Sequence, residues 1–421
     1  MAKKSEQIVE DLFRTEYGKL VTGLIRFFGP GNIQLAEDIV QETLITALDN
    51  WSMGQIPDNP TGWLVQVAKR KALNELKHQK IIQKHQSSIL YLSNPEAELE
   101  HIFLENEIED SQLRMIFTCC HPSLSEESQI ALTLKTLCGF GVKEVANALL
   151  ASESTINKRL FRAKKTIKDS KIPFDIPQGK ELENRLDIVI LTLYLLFNEG
   201  YNSSSNNKMI AQELCLEAIR LVKLLSTHFK ENKELYALLS LMCFHVARFE
   251  ARIDYKGTII LFEDQDRSLW NKSLIAIGIS FLEKSKNAEK LSSYHIEARI
   301  AAEHCMAESL ANTDWRNIYS QYELLSLVKP SPIIDLNKAI ILSEIAGYTE
   351  SLELLKQLED NDKLPTYYLL PATQGFFYLK KKNYSKAMHY LNKAKELKPP
   401  LSELKLIERG ISECKEKKVS N

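Results

Sequence analysis

The sequence contains no run of about 18 apolar residues, the minimum for a membrane-spanning helix, so no membrane partner is predicted. Its first residues, MAKKSEQIVEDLFR, lack the apolar core of a secretory signal peptide. No phosphate-binding glycine loop and no nucleophile–base pair can be recognised, so no catalytic residue is assigned. Neither sign of charge dominates, because 54 Lys and Arg stand against 55 Asp and Glu. These absences favour a cytoplasmic protein that is not an enzyme.

Cysteine is scarce and scattered, with seven residues in 421, most of them inside apolar helical patterns. An odd number of dispersed, apolar-flanked thiols is typical of reduced, buried cysteines rather than of a disulfide framework. The triplet Cys119-Cys120-His121 suggests zinc, but no second pair of ligands follows at the spacing of a zinc finger. We therefore predict no metal site and no other cofactor.

Residues 139–169 are the most informative stretch and read GFGVKEVANALLASESTINKRLFRAKKTIKD. Apolar residues recur at helical spacing in two segments, and Ala151 with Ser152 separates them. Ser152 has the side chain of a helix N-cap. The pattern predicts a helix-turn-helix. The buried stripe of its second helix consists of Ile156, Leu160, Ala163 and Ile167.

The outward face of that second helix is basic. Between Ser152 and Lys171 there are seven Lys and Arg against two acidic residues, although the whole chain sums to −1. Such local charge is typical of a nucleic-acid surface, whereas a solvated amphipathic helix is the plainer alternative. We predict that Ser154, Lys158 and Arg162 face base edges in a major groove. Arg159, Lys164 and Lys165 are predicted to hold phosphates.

Residues 5–80 are predicted to form one helical domain with two oppositely charged faces. The segment AEDIVQETLITALDNW directs Val40, Leu44, Ala47, Leu48 and Trp51 inward. Its polar face carries Glu37, Asp38, Gln41 and Glu42. The following helix, GWLVQVAKRKALNELK, has the basic residues Lys69, Arg70, Lys77 and Lys80 opposite its apolar side. An acidic and a basic face in one small domain indicate two partners, a basic protein surface and a nucleic acid.

These three motifs, in this order, resemble the two domains of a bacterial extracytoplasmic-function sigma factor of the sigma-70 family. The resemblance covers residues 8–170 and implies core RNA polymerase and promoter DNA as partners. It assigns 5–80 to region 2, 81–110 to a linker and 111–171 to the region 4 helix-turn-helix. It also implies that Asp38, Gln41 and Glu42 bind the clamp of the largest polymerase subunit. Lys69, Arg70 and Lys77 are expected at the minus-ten DNA.

Arg70 departs from the family pattern, because many members carry Asn at this position, where it helps to capture an unstacked promoter base. An arginine offers stacking on a base or a grip on phosphate instead. The minus-ten contact is therefore not carried over unchanged.

The remaining segment, residues 181–421, is predicted to be an all-α extension with tetratricopeptide-like repeats. Prolines in IPFDIP (172–177) disfavour a continuous helix before it. A period of about 34 residues appears near the end, with repeat-like residues Gly375, Tyr378, Ala387, Leu391, Ala394 and Pro399. Stacked helical pairs of this kind form solenoids that bind proteins or peptides.

Three functions remain open from the sequence, all in an all-α fold. The first is a sigma factor whose own C-terminal domain regulates it, with inhibition and assistance both open and assistance favoured. The second is a conventional helix-turn-helix regulator with a repeat-built sensor domain. The third is an interaction scaffold that does not bind DNA. The acidic helix of residues 37–42 favours the first, because neither alternative needs a polymerase-docking face.

Overall fold

Helices form the regular secondary structure of the computed structural model, which describes residues 16–52, 56–82, 94–149, 151–201, 208–252, 254, 259–359 and 367–419. No β-strand occurs within these ranges, so the predicted all-α fold is confirmed. The start of the first predicted helix, near Ser5, lies outside the described residues, as does much of the predicted linker. None of the described helices is long and apolar enough to cross a membrane.

The first nine helices contain the predicted DNA- and polymerase-binding motifs. They are α1 (16–28), α2 (Ile33–Ser52), α3 (Pro60–Ile82), α4 (Pro95–Ile102), α5 (Glu105–Cys119), α6 (Glu126–Thr136), α7 (Val142–Ala148), α8 (Glu153–Asp169) and α9 (Gly179–Tyr201). Eleven further described helices follow. They are α10 (Lys208–His228), α11 (Lys233–Ala247), α12 (Phe249–Arg252), α13 (Lys272–Lys284), α14 (Ser293–Met306), α15 (Trp315–Val328), α16 (Pro332–Ile345), α17 (Tyr348–Gln357), α18 (Leu369–Lys380), α19 (Tyr384–Glu396) and α20 (Leu401–Val419).

The chain divides into two compact units. Unit 1 comprises residues up to 200 together with 216–225, and unit 2 comprises 201–215 and 226–421. The division differs from the boundary predicted at residue 181, because α9 packs within unit 1. Thr192 on α9 donates a hydrogen bond to the Gln129 side chain at 3.1 Å, and Arg185 donates to the Phe117 carbonyl. Side chains on the inner face of α9 thus complete the core around α5 and α6.

Within unit 1 the N-terminal helices pack directly against the helix-turn-helix. Gly18 on α1 lies so close to the end of α6 that a Cβ would overlap the Leu137 carbonyl oxygen. Gly139 adopts a φ of 73° beneath the Tyr17 side chain, a conformation that favours glycine. Close backbone approach at both glycines therefore joins the two predicted DNA-binding domains.

Unit 2 ends in helical hairpins whose packing follows the predicted repeat residues. The residue at 375 must be small because a Cβ would lie 2.7 Å from the Leu391 side chain on α19. Ala387, Leu391 and Ala394 are fully buried in a core shared by α16 to α20. A second core joins α14, α15 and α16 around Ile318.

Candidate nucleic-acid interface

The second helix of the helix-turn-helix, α8, has the two faces that its sequence predicts. The Ser152 hydroxyl caps it by accepting a hydrogen bond from the Thr155 amide at 3.1 Å. All four residues of its apolar stripe are buried: Ile156, Leu160, Ala163 and Ile167. This packing fixes the rotation of α8 and leaves the opposite face exposed.

The exposed face of α8 carries four cations. Lys158, Arg162 and Lys165 are exposed beside Ser154, and Arg159 is half-buried at the edge. Among the described residues, none of the four makes an ion pair. Phe161 lies on the same face with 69% of its surface exposed. Basic side chains around an exposed ring suit contacts to phosphates, base edges and a thymine methyl group.

Lys164, predicted to hold a phosphate, instead contacts α2 in this structure. Its ammonium donates to the Glu37 carboxylate at 2.6 Å and to the Gln34 side chain at 2.9 Å. The Glu37 side chain is only 2% exposed and that of Lys164 16%. Glu37 was expected on the exposed acidic face, and this prediction was wrong, because its side chain is buried between α2 and α8. Phosphate binding by Lys164 requires this pair to open.

The basic helix α3 presents Arg70 and Lys77 to solvent but not Lys69. Lys69 is buried, with its ammonium 2.8 Å from Glu100 and 5.5 Å above the Phe103 ring. It was expected on the exposed basic face, and burial under α4 and its following turn corrects that expectation. The Lys69 ammonium is therefore not exposed for the direct DNA contact that was predicted for it.

Arg70 lies between two grooves on the surface of α3. The larger, about 560 Å³, is lined by Asn50, Trp51, Trp63, Gln66, Val67 and Arg70. Trp51 and Trp63 pack with ring centroids 5.3 Å apart, and Trp51 is fully buried whereas Trp63 is half-exposed. The second groove, about 350 Å³, extends past Arg70 to Lys77. An open groove with an aromatic wall and a guanidinium rim suits an unstacked base and its phosphate.

The predicted polymerase-binding residues share one face of α2. Asp38, Gln41 and Glu42 are exposed, and Glu42 also accepts from Lys71 on α3 at 3.2 Å. The same face continues into Ile45 and Leu48, which are 57% and 39% exposed. Leu48 was expected inside, and Ile45 was not singled out. Ile45 and Leu48 follow Asp38 by seven and ten residues, which is close to two and three helical turns. This spacing would have identified them as members of the same exposed face. Acidic and apolar groups therefore form one continuous surface.

The described residues contain no group of three or more His, Cys, Asp or Glu side chains that could hold a metal ion. None of the seven cysteines forms a disulfide, and all are buried. Burial raises the pKa of Cys120 to about 11, which keeps the thiol protonated and unreactive.

Comparisons with known proteins agree with this layout. Residues 13–81 match the family described as Sigma-70 region 2, and residues 114–167 match Sigma-70, region 4. Residues 185–286 match a family of unknown function, DUF6596. An uncharacterized protein of Rhizobium meliloti (strain 1021) is 33% identical over 354 residues, which cover 84% of this chain and 83% of the relative. No solved structure matches the chain.

The two sigma-70 matches decide among the three functions left open by the sequence. One match includes α2 and α3, and the other includes the helix-turn-helix. A conventional regulator or a scaffold does not require both of these sigma-70 regions. Members of the sigma-70 family are transcription initiation factors rather than enzymes. The chain belongs to the sigma-70 family, as an extracytoplasmic-function-like sigma factor that directs transcription initiation and carries a C-terminal extension of unknown function.

Proposed function

We propose that three separate surfaces of unit 1 have different roles in transcription initiation. The exposed face of α2, from Asp38 to Leu48, docks on the polymerase clamp. The basic face of α8 reads the minus-thirty-five element, and the Trp63–Arg70 groove accepts a base of the minus-ten element. The observation that carries the proposal is the α2 surface, because exposed aliphatic side chains bordered by polar residues are typical of a protein-docking surface. Because the proposed partner of this surface, core RNA polymerase, is cytoplasmic, we propose that the protein acts in the cytoplasm.

The proposal is tested with purified bacterial core RNA polymerase and a promoter library. The full-length protein should direct initiation from a subset of templates, and core enzyme alone should not. Promoters recovered from the library should share sequence at two positions separated by the minus-ten to minus-thirty-five distance. Initiation without any shared sequence would contradict the assignment of α8 and the Trp63–Arg70 groove to promoter reading.

We further propose that the extension controls unit 1 by direct contact, favouring assistance over inhibition. Covalent attachment gives the extension a high local concentration, so weak contacts are enough to change the availability of the DNA-binding surfaces. Helical repeats commonly supply such binding surfaces. Removal of everything after Lys171 is not a clean test, because α9 contributes buried residues to unit 1.

A deletion of residues 332–421 removes α16 to α20, all of them outside unit 1, and uncovers the apolar side of α14 and α15 on which α16 packs. We expect polymerase and DNA binding to persist while promoter-dependent transcription falls several-fold. Circular dichroism and binding to core enzyme serve as controls for folding. Equal transcription by the deleted and complete chains, across promoters and salt concentrations, would contradict a regulatory role for these helices.

A further inference from the structure

Unit 2 contains a partly buried cluster of basic and aromatic side chains that promoter recognition does not use. We call Arg248, Phe262, Arg267, Trp270 and His304 the basic–aromatic cluster. Phe262, Arg267 and Trp270 lie in the segment LFEDQDRSLW (261–270). Arg248 lies in the turn between α11 and α12, and His304 lies on α14. The arrangement is compact enough for both guanidinium groups to contact the same two rings.

The distances describe two cations stacked on shared aromatic faces. The guanidinium carbon of Arg248 lies 4.4 Å from the Phe262 ring centroid and 5.3 Å from that of Trp270. The guanidinium carbon of Arg267 lies 4.5 Å from the Trp270 centroid and 5.4 Å from that of Phe262. The His304 ring packs 4.6 Å from Phe262. Stacking of this kind stabilises a guanidinium but does not neutralise its charge.

No carboxylate among the described residues forms an ion pair with either arginine. The nearby acidic side chains have other partners: Glu263 pairs with Lys380 at 2.9 Å, and Asp266 accepts from the Ser268 amide. Desolvation lowers the pKa of both guanidinium groups. Desolvation and the two arginines also lower the pKa of His304 to about 3, so its ring stays neutral at pH 7. The cluster therefore carries two positive charges without a counter-ion in the described part of the chain.

Two hydrogen-bond donors in the cluster also lack an acceptor. Arg267 Nη2 and Trp270 Nε1 are buried with no partner among the described residues. Both groups can only donate, and buried donors without acceptors are costly and uncommon in folded proteins. Three other guanidinium nitrogens do have acceptors. Arg267 Nη1 donates to the His304 and Ala307 carbonyls, and Arg248 Nε and Nη2 donate to the Gln265 side chain.

We propose that the basic–aromatic cluster is a binding site for an oxyanion, the phosphate or carboxylate group of a small ligand. The anion accepts hydrogen bonds from Arg267 Nη2 and Trp270 Nε1 and neutralises both guanidinium groups. Arginine suits this task because its planar fork matches both kinds of group. A purely structural cluster of stacked side chains would account for the stacking but not for two unpaired donors beside two uncompensated charges. The site lies in the extension and is independent of the surfaces proposed above, so a ligand here provides a route by which a small molecule acts on the sigma factor.

The experiment titrates the full-length protein with inorganic phosphate and, separately, with malonate, at constant ionic strength balanced by sodium chloride. Calorimetry and the unfolding temperature are measured together with Trp fluorescence. We expect saturable binding of one anion and a rise in unfolding temperature that chloride does not reproduce. Comparison of the phosphate and malonate titrations tells which kind of oxyanion the site prefers.

Three variants localise the binding. Trp270→Phe keeps an aromatic ring but removes the Nε1 donor, and it should weaken binding about tenfold, as expected for loss of a hydrogen bond to a charged group. Arg248→Gln removes one charge and should abolish saturable binding. Arg316→Gln, an exposed charge change on α15, is the matched control and should bind as the unmodified protein does. Circular dichroism confirms that each variant is folded.

Absence of saturable binding of both anions would overturn the proposal. So would equal affinity in Trp270→Phe and Arg316→Gln. A high-resolution crystal structure grown with the anion gives a second check if Arg248→Gln does not fold. A water molecule alone on Arg267 Nη2 and Trp270 Nε1 would show that the cluster is structural.

Discussion

The Lys164 ammonium on α8 lies 2.6 Å from the Glu37 carboxylate on α2, although 127 residues separate the two in the chain. The pair is largely buried and joins the predicted minus-thirty-five reader to the predicted polymerase-binding helix inside unit 1. Glu37 Oε1 has no hydrogen-bond partner among the described residues, so the pair depends on Oε2 alone. It is therefore a contact that can be opened by one substitution.

Glu37→Gln should loosen α8 from α2. Loss of one partner leaves the Lys164 charge buried, and we expect a local destabilisation of about 1–3 kcal/mol, less than for a fully buried pair because Lys164 keeps some exposure and its bond to Gln34. Hydrogen exchange of the α2 and α8 amides measures the effect. The double variant Glu37→Gln/Lys164→Met should recover most of the loss. If the losses of stability caused by Glu37→Gln and Lys164→Met alone simply add in the double variant, the two residues are not coupled.

The periodicity of the sequence predicts the faces of single helices well but not the contacts between them. The stripe from Ile156 to Ile167 is buried as expected, because its period of 3.6 residues depends only on local geometry. Glu37 and Lys69 are polar residues expected at the surface, and both are buried by partners distant in sequence, Lys164 and Glu100. No local pattern encodes such pairing, since either residue alone is typical of a solvated face.

The position of α9 illustrates the same limit. The prolines before it predict an interruption of helical structure, and residues 172–178 are indeed not helical. A break in helical structure does not determine which core the next helix joins. Arg185 and Thr192 place α9 on α5 and α6 through tertiary hydrogen bonds that periodicity does not reveal.

Asp38→Lys/Glu42→Lys should abolish holoenzyme formation while leaving the fold intact. Both side chains are exposed, so charge reversal changes the proposed docking face without disturbing the core. Native gel shift with core polymerase and far-ultraviolet circular dichroism are the measurements. Glu350→Lys/Glu353→Lys, an equal charge reversal on exposed positions of α17, is the control and should bind core normally. Core binding by both double variants would remove α2 as the docking helix.

Leu48→Ser extends this test to the apolar part of the same surface. The side chain is 39% exposed, so its removal should cost the isolated protein little stability. Binding to core polymerase should nevertheless weaken several-fold, because an interface buries this surface from water. An unchanged affinity would confine the docking face to its carboxylates.

Arg162→Ala and Lys165→Ala separate base reading from phosphate binding on α8. Both side chains are exposed and neither makes an ion pair within the described residues. Loss of a bidentate base contact costs about 1–3 kcal/mol of discrimination, so Arg162→Ala should reduce the difference in affinity between matched and scrambled promoters by about that amount. Lys165→Ala should weaken both alike and reduce the dependence of log affinity on log salt by about one. Identical profiles for the two variants would refute the division of roles.

The groove around Arg70 tests the minus-ten assignment, where the sequence departs from its family. Arg70 is exposed at the rim of the groove, and the half-exposed Trp63 forms part of its wall. Stacking of a base on an aromatic ring is worth about 1–3 kcal/mol, so Trp63→Ala in the holoenzyme should weaken binding of a single-stranded minus-ten oligonucleotide about tenfold or more. Arg70→Ala should lower affinity in the same assay, and Arg70→Lys should restore only the part due to charge, because an ammonium does not stack as a guanidinium does. Lys77→Ala, at an exposed cation beside the second groove, is the control and should change mainly the salt dependence. If Arg70→Ala and Lys77→Ala behave alike, and Arg70→Lys is indistinguishable from the unmodified protein, then Arg70 only grips phosphate and the base is captured by other residues of the groove.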